Sequence, residues 1–133
     1  MAVISTVRPD GTVHSSLVNA GVLDHPLTKE TVVAFVARGA AYKVKLLGAT
    51  AGRANAVFRS GWEWVSVEGP VDLVGPDHPR TGFPPDGLPQ LLRDIFTAAG
   101  GTHDNWAEFD RVMAEERRTA VFITPDRITT NRG

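Results

Sequence analysis

Thr31-Val32-Val33-Ala34-Phe35-Val36-Ala37-Arg38-Gly39-Ala40-Ala41-Tyr42-Lys43 is a nearly continuous apolar run that breaks at an Arg-Gly pair and restarts as a short helix. An apolar run of strand length without alternation reads as a strand covered on both faces, so Thr31 to Val36 is expected to be the central strand of a sheet. The helix that follows, from Ala40 to Leu47, is expected to stop at Gly48. A helix start leaves backbone N–H groups unpaired at the positive end of its dipole, so Arg38 before it and Lys43 inside it converge on a point that suits a phosphate. Gly39 is expected to let the chain turn there with a positive φ. Two charges and a glycine do not make a Walker motif, and ordinary solvated charges are the competing reading.

Strand character continues on either side. Ala2 to Val7 and Thr12 to Leu23 are rich in β-branched residues and are joined by Arg8-Pro9-Asp10-Gly11, a turn signal, which predicts a β-hairpin. Asn55 to Arg59 returns to strand character, and Ser60-Gly61 marks a turn. Trp62-Glu63-Trp64-Val65-Ser66-Val67-Glu68 alternates with period two, bends at Gly69-Pro70 and continues through Val71 to Val74. The proline-rich segment from Gly75 to Gly87 reads as a loop or mobile excursion. Leu88, Leu91, Leu92, Ile95, Phe96 and Ala99 recur at helical spacing up to Gly100-Gly101. Asp104 is the expected N-cap of a second helix whose apolar face is Trp106, Phe109, Val112 and Met113. Thr119 to Thr124 and Arg127 to Thr130 close the chain as strands around Pro125-Asp126. Six or seven strands that do not alternate with helices predict a mainly β fold, a small β-barrel with short helices packed outside.

The chain has 133 residues, enough for a single domain spanning 1–133 and one core. With 14 basic and 15 acidic residues its net charge is −1, and no Lys/Arg run offers a footprint for nucleic acid. Cysteine is absent, which removes disulfides and thiolate chemistry and agrees with a reducing compartment. Neither a signal peptide nor an apolar run of membrane-spanning length is apparent, so the expectation is a cytoplasmic protein with no membrane partner.

Few residue clusters suggest chemistry. His14 and Ser15 are neighbours on a strand and point to opposite faces, while His14 and Ser16 share one; without a nucleophile elbow or an orienting acid they read as polar residues facing a ligand or water. His14, His25, His78 and His103 have no metal-ligand spacing, so no metal is assigned. Trp62 and Trp64 are expected side by side on one strand face, as core, as a subunit interface, or as a wall against a planar ring. Glu115-Glu116-Arg117-Arg118 reads as a solvated charge run with i,i+3 pairs, with Arg118 the member expected to turn inward.

The chain resembles the pyridoxamine-5′-phosphate-oxidase-like split β-barrel flavoproteins, and within them the actinobacterial branch that uses the deazaflavin coenzyme F420. The resemblance rests on Ile4 to His14, on Val33 to Gly39 with Lys43, on Val57-Phe58-Arg59 with Trp62 to Gly69, on Gly100 to Trp106, and on Met113 to Val121. It implies an FMN-binding-like split barrel that forms a homodimer with two flavin-type sites at the subunit interface. By position, Arg38 and Lys43 correspond to the residues that hold the cofactor phosphate, joined by backbone of Ala37, Gly39 and Ala41. His14, Ser16 and Val18 correspond to the strip lining the ring system, with Val36 nearby and Trp64 of a partner chain closing the site. The implied reaction passes a hydride from reduced F420 to a small unsaturated organic substrate, with no residue firmly catalytic and His14 as candidate proton donor. FMN is the alternative cofactor, and a non-catalytic flavin- or deazaflavin-binding protein the alternative role. Lys45 is a candidate partner for the acidic tail of F420. The chain departs from the family pattern in the missing lead-in helix before Met1, and in Val44 to Gly52, which lacks the family's Asn-Leu-Arg and Pro.

Overall fold

The computed structural model describes residues 1–39, 41, 45 and 52–132. Its strands are β1 (Ala2–Val7), β2 (Val13–Val18), β3 (Ala20–Asp24), β4 (Thr31–Ala37), β5 (Arg53–Ser60), β6 (Glu63–Val74), β7 (Thr119–Ile123) and β8 (Arg127–Thr130). The helices α1 (Leu88–Ala98) and α2 (Trp106–Glu115) lie between β6 and β7 in the chain. The helix expected from Ala40 to Leu47 falls mostly outside the described residues.

All strand pairings are antiparallel, in the order β2-β1-β5-β6-β7-β4-β3, with β8 also on β6. The two ends of this path, β2 and β3, are separated only by Asn19. The sheet therefore curls back on itself and splits where the chain changes partner from β1 to β4. The sequence reading ran one strand from Thr12 to Leu23 because its composition does not change at Asn19; the break is a change of partner.

β6, not β4, is the spine. Its first part pairs with β5 and β8, and Val71 to Val74 pair with β7. The handover falls at the predicted Gly69-Pro70 bend, where Thr124 N–H donates to the Pro70 carbonyl at 3.1 Å and Asp126 N–H to the Glu68 carbonyl at 2.9 Å. Proline, with no N–H to give the ladder, sits where the partner changes.

β4 is apolar throughout for another reason. Val33, Phe35 and Ala37 join Ile4, Ala56, Val121 and Ile123 inside the curled sheet. Val32 and Ala34 face the other way, onto Leu91, Leu92, Ile95, Phe109 and Phe122 beneath the helices. Two cores share one strand, so both faces are buried although β4 lies one place from the end of the sheet path.

The helices follow their sequence pattern, with one change of cap: Asn105, not Asp104, accepts the Glu108 N–H on its side chain at 3.1 Å. The Gly75–Gly87 segment is an anchored strap. Gly75 and His78 form a bridge, Arg80 Nε donates to Asp72 at 2.9 Å, and Phe83 packs on the helix-side core. His25, buried at its base, accepts the Leu27 and Thr28 N–H groups on Nδ1, so its Nε2–H is the donor to Asp72 at 3.0 Å. Among the described residues no helix is long and apolar enough to cross a membrane.

Candidate functional site

β4 ends at Ala37, and Ala41 N–H donates to the Arg38 carbonyl at 3.0 Å as the chain turns. Gly39 does not have the positive φ expected of it. A Cβ there would lie 2.7 Å from the Arg117 carbonyl oxygen, so close approach of backbone to backbone requires the glycine. Lys43, the other half of the predicted phosphate element, lies outside the described residues.

The chain facing Gly39 is shaped by the end of α2. Arg117 takes a left-handed conformation with φ 50°, Arg118 N–H donates to the Met113 carbonyl at 2.9 Å, and Arg117 N–H donates to the Ala114 carbonyl at 3.1 Å. These two bonds form a Schellman motif, here with arginine where glycine is usual. The bidentate pair between the Arg117 guanidinium and Asp77 holds that conformation from the strap side. It also keeps the Asp77 carboxyl below its ordinary pKa, because the guanidinium hydrogen bonds favour the charged form. The motif turns Arg118 back toward the end of β4.

Between these elements lies a cavity of about 530 Å³, within the range of small-ligand sites. One wall is Leu17, Val18 and Asn19 at the split, together with Val36, Ala37, Arg38 and Ala41. The opposite wall is Ile95, Phe96, Phe109 and Met113 of the helices and Ala99 just beyond α1, with Arg118 at the rim. Phe96 and Phe109 are held by an aromatic cluster with His103 and Trp106. The rim is charged: Glu116 receives Arg38 on Oε2 at 2.9 Å and Arg118 on Oε1 at 3.0 Å. Composition marked the Glu115–Arg118 run as solvated, yet its third and fourth charges split between the strap and the cavity, and Glu116 reaches across to β4. The only sequence signal for Glu116 was its position beside an arginine expected to turn inward.

Of the predicted site residues, Val18, Val36, Ala37, Arg38 and Ala41 line this one cavity, and Gly39 packs behind it on Arg117. His14 and Ser16 do not line it. They share the inner face of β2 with Val18, opposite Thr6 and Ile4 of β1. The hydroxyls of Ser16 and Thr6 are buried there without a hydrogen-bond partner among the described residues. Trp64 lies apart, in a groove of about 370 Å³ with Phe58, Glu63 and Asn131. Trp62 is not its strand-face neighbour, because β6 begins only at Glu63; it occupies the preceding turn and is 94% exposed. Asn131 clamps the backbone there, donating to the Trp62 carbonyl and accepting the Trp64 N–H. Neither tryptophan belongs to the core of the chain.

The donor set fits a flavin-type group with an anionic tail. Two arginines line a largely apolar cavity, and Ser16 of β2 and Thr6 of β1 carry buried hydroxyls with no partner among the described residues.

No protein-family profile matches the sequence, and no curated protein does. Solved structures do match in fold. A conserved hypothetical protein of Mycobacterium tuberculosis, Rv2991, has TM-score 0.68 at 18% identity, over 97% of this chain and 74% of its own. A pyridoxamine-5′-phosphate-oxidase-related, FMN-binding protein of Nostoc punctiforme has TM-score 0.63 at 12% identity, over 99% of this chain and 74% of its own. An F420 reductase has TM-score 0.60 at 18% identity, over 96% of this chain and 87% of its own. The chain has the fold of the pyridoxamine-phosphate-oxidase-like split barrels.

Proposed function

We propose that this protein is an oxidoreductase of the flavin and deazaflavin type, acting with coenzyme F420 and serving a small unsaturated organic substrate. The observation that carries the reading is the cavity at the end of β4, apolar on its walls and bounded at its rim by Arg38 and Arg118. The similarity in fold to an F420 reductase and to an FMN-binding protein supports the same class.

When bound, the cofactor supplies the hydride. The residues of this chain supply position and a dry wall. Arg38 and Arg118 hold the anionic tail by charge-assisted hydrogen bonds, with Lys43 as a third donor by family position. Val18, Val36, Phe96 and Phe109 exclude water from the ring. A Ser-His-Asp arrangement is not required by such a reaction. His14 lies outside the lining of the cavity, so the proton that completes reduction of the substrate comes from solvent in this reading. We further infer that the working unit is a homodimer, joined through the outer face of β1 and β2, where Val7, Val13 and Leu17 are exposed.

The test is titration with F420 and, separately, FMN, followed by ring fluorescence, in the natural protein and in Arg38→Ala and Lys43→Ala. Saturable F420 binding that both variants weaken is the expected result. Binding of neither cofactor overturns the reading. Tight binding with no turnover of the reduced cofactor across a panel of activated alkenes would instead identify a carrier.

A further inference from the structure

Arg38 and Arg118 both line the cavity, and both are ion-paired to the two oxygens of one carboxylate, that of Glu116. The three side chains come from separate places: the end of β4, the cap of α2, and the entry to β7. Glu116 and Arg118 have side chains only 26% and 23% exposed, so their charges act with less solvent screening than a free surface pair. Arg38 is the open member, 65% exposed, and is the one an incoming anion reaches first. The neighbouring Arg117 is already matched by Asp77 and adds no net charge. Among the described residues the rim therefore carries two positive charges and one negative, a net charge of +1.

We propose that Glu116 is a specificity-determining residue that makes the rim select a singly charged phosphate diester over a doubly charged phosphate monoester. The inference rests on the cofactor reading above and deepens it. A phosphate monoester such as that of FMN has a second ionisation near pH 6 and carries close to two charges at pH 8. A diester, the form in which F420 carries its phosphate, has lost that second acidic oxygen and carries one. An anion entering the rim displaces Glu116 from Arg38 but leaves the carboxylate beside it on Arg118. The residual repulsion at the rim scales with the charge of the phosphate seated there, so it weighs about twice as heavily on the monoester as on the diester. Discrimination of this kind comes from a repulsive group built beside the attractive ones.

Glu116→Gln keeps the size and one acceptor oxygen while removing the charge, and Glu116→Asp keeps the charge. Dissociation constants for FMN and F420 are measured at pH 8 by ring fluorescence for the natural protein and both variants, with far-UV circular dichroism to confirm folding. In Glu116→Gln the expected gain is about tenfold for FMN and about threefold for F420, so the preference moves toward the monoester. In Glu116→Asp the ratio of the two constants stays as it was. An unchanged ratio in Glu116→Gln overturns the proposal, as does an equal change of ratio in Glu116→Asp, which would make the effect one of shape. Failure of the natural protein to bind either cofactor sinks the cofactor reading alone. The charge inference is then read from methyl phosphate and dimethyl phosphate, through the arginine Nε–H resonances of Arg38 and Arg118. There a Glu116→Gln gain larger for methyl phosphate than for dimethyl phosphate sustains it, and equal responses to both probes overturn it.

Discussion

A methyl group added at Gly69 would sit 1.7 Å from the Thr124 carbonyl oxygen and 2.7 Å from the Thr124 carbonyl carbon. Neither is the movable end of a side chain: both belong to the backbone that carries β7 into β8 while β6 changes partner. Relief would require moving the crossing that joins the two parts of the curled sheet. Gly69→Ala is therefore expected to cost at least about 4 kcal/mol, in the range of exceptional single substitutions. That is a loss of roughly 15 °C in Tm for a chain of this size. Gly11→Ala is the matched control, because its φ of 88° gives strain but no atom lies within 4 Å of the new Cβ. Its cost is expected near 1 kcal/mol, the strain of a left-handed residue alone. Thermal melts of the two proteins separate packing from conformation, and equal losses would remove the argument for the crossing.

The two helices are tied by one bidentate contact, Arg93 to Asp110, with Arg93 Nε 3.0 Å from the carboxylate. The guanidinium also lies 5.3 Å from the Trp106 ring centroid, so one side chain binds α2 by charge and by its aromatic face. The Arg93 hydrogen bonds favour the charged carboxylate and lower the Asp110 pKa from its ordinary 3.8. A group whose pKa is lower folded than unfolded gives stability that is complete above the unfolded value and disappears as pH falls through the folded one. The stability difference between the natural protein and Asp110→Asn is thus expected to be constant from pH 7 to about pH 5, to shrink as pH falls past the ordinary 3.8, and to vanish only below the lowered folded value. Urea unfolding followed by tryptophan fluorescence at stepped pH measures it, and a difference that does not shrink at all as pH falls below 3.8 would show that the contact works by packing. Elements of this kind were legible in the sequence because composition and periodicity record local preference and burial: period two marked β6, β-branched residues marked β1, strand character marked β5 and β8, and helical spacing marked α1 and α2. The double burial of β4 was legible too, but its cause was not, since a run without alternation looks the same in mid-sheet as beneath a pair of helices. Partner choice leaves no periodic trace, which is why the break at Asn19 and the rank of β6 were missed. At the site, Arg38 stood out through its local turn signal and Arg118 through its place at a strand entry. Glu116 did not, because its meaning comes from an arginine 78 positions earlier in the chain.

For the molecule as a whole, the decisive surface is the outer face of β1 and β2. Val7 pairs with Val13 and Val3 with Leu17, and three of these four are more than half exposed. Between the two pairs, the hydroxyls of Ser5 and Ser15 bond to each other at 2.9 Å, and on the adjoining strands Asn55 bonds to Ser66 at 2.6 Å. The polar groups of the face thus satisfy one another laterally, leaving a surface that loses little on being covered by a second copy. Leu17 belongs at once to this face and to the lining of the cavity, so a partner seated on the face also reaches the mouth of the site. Val7 and Val13 belong to the face but not to the cavity, which allows the two roles to be separated. The natural protein is expected to sediment at twice its chain mass of 14.3 kDa, and the double variant Val7→Glu with Val13→Glu as a folded monomer, since both side chains already point to solvent. If the site is shared between subunits, that monomer binds F420 at least about tenfold more weakly, a loss of roughly 1.4 kcal/mol. A monomer with unchanged affinity would confine the site to one chain, and a variant that remains dimeric would move the interface to another face.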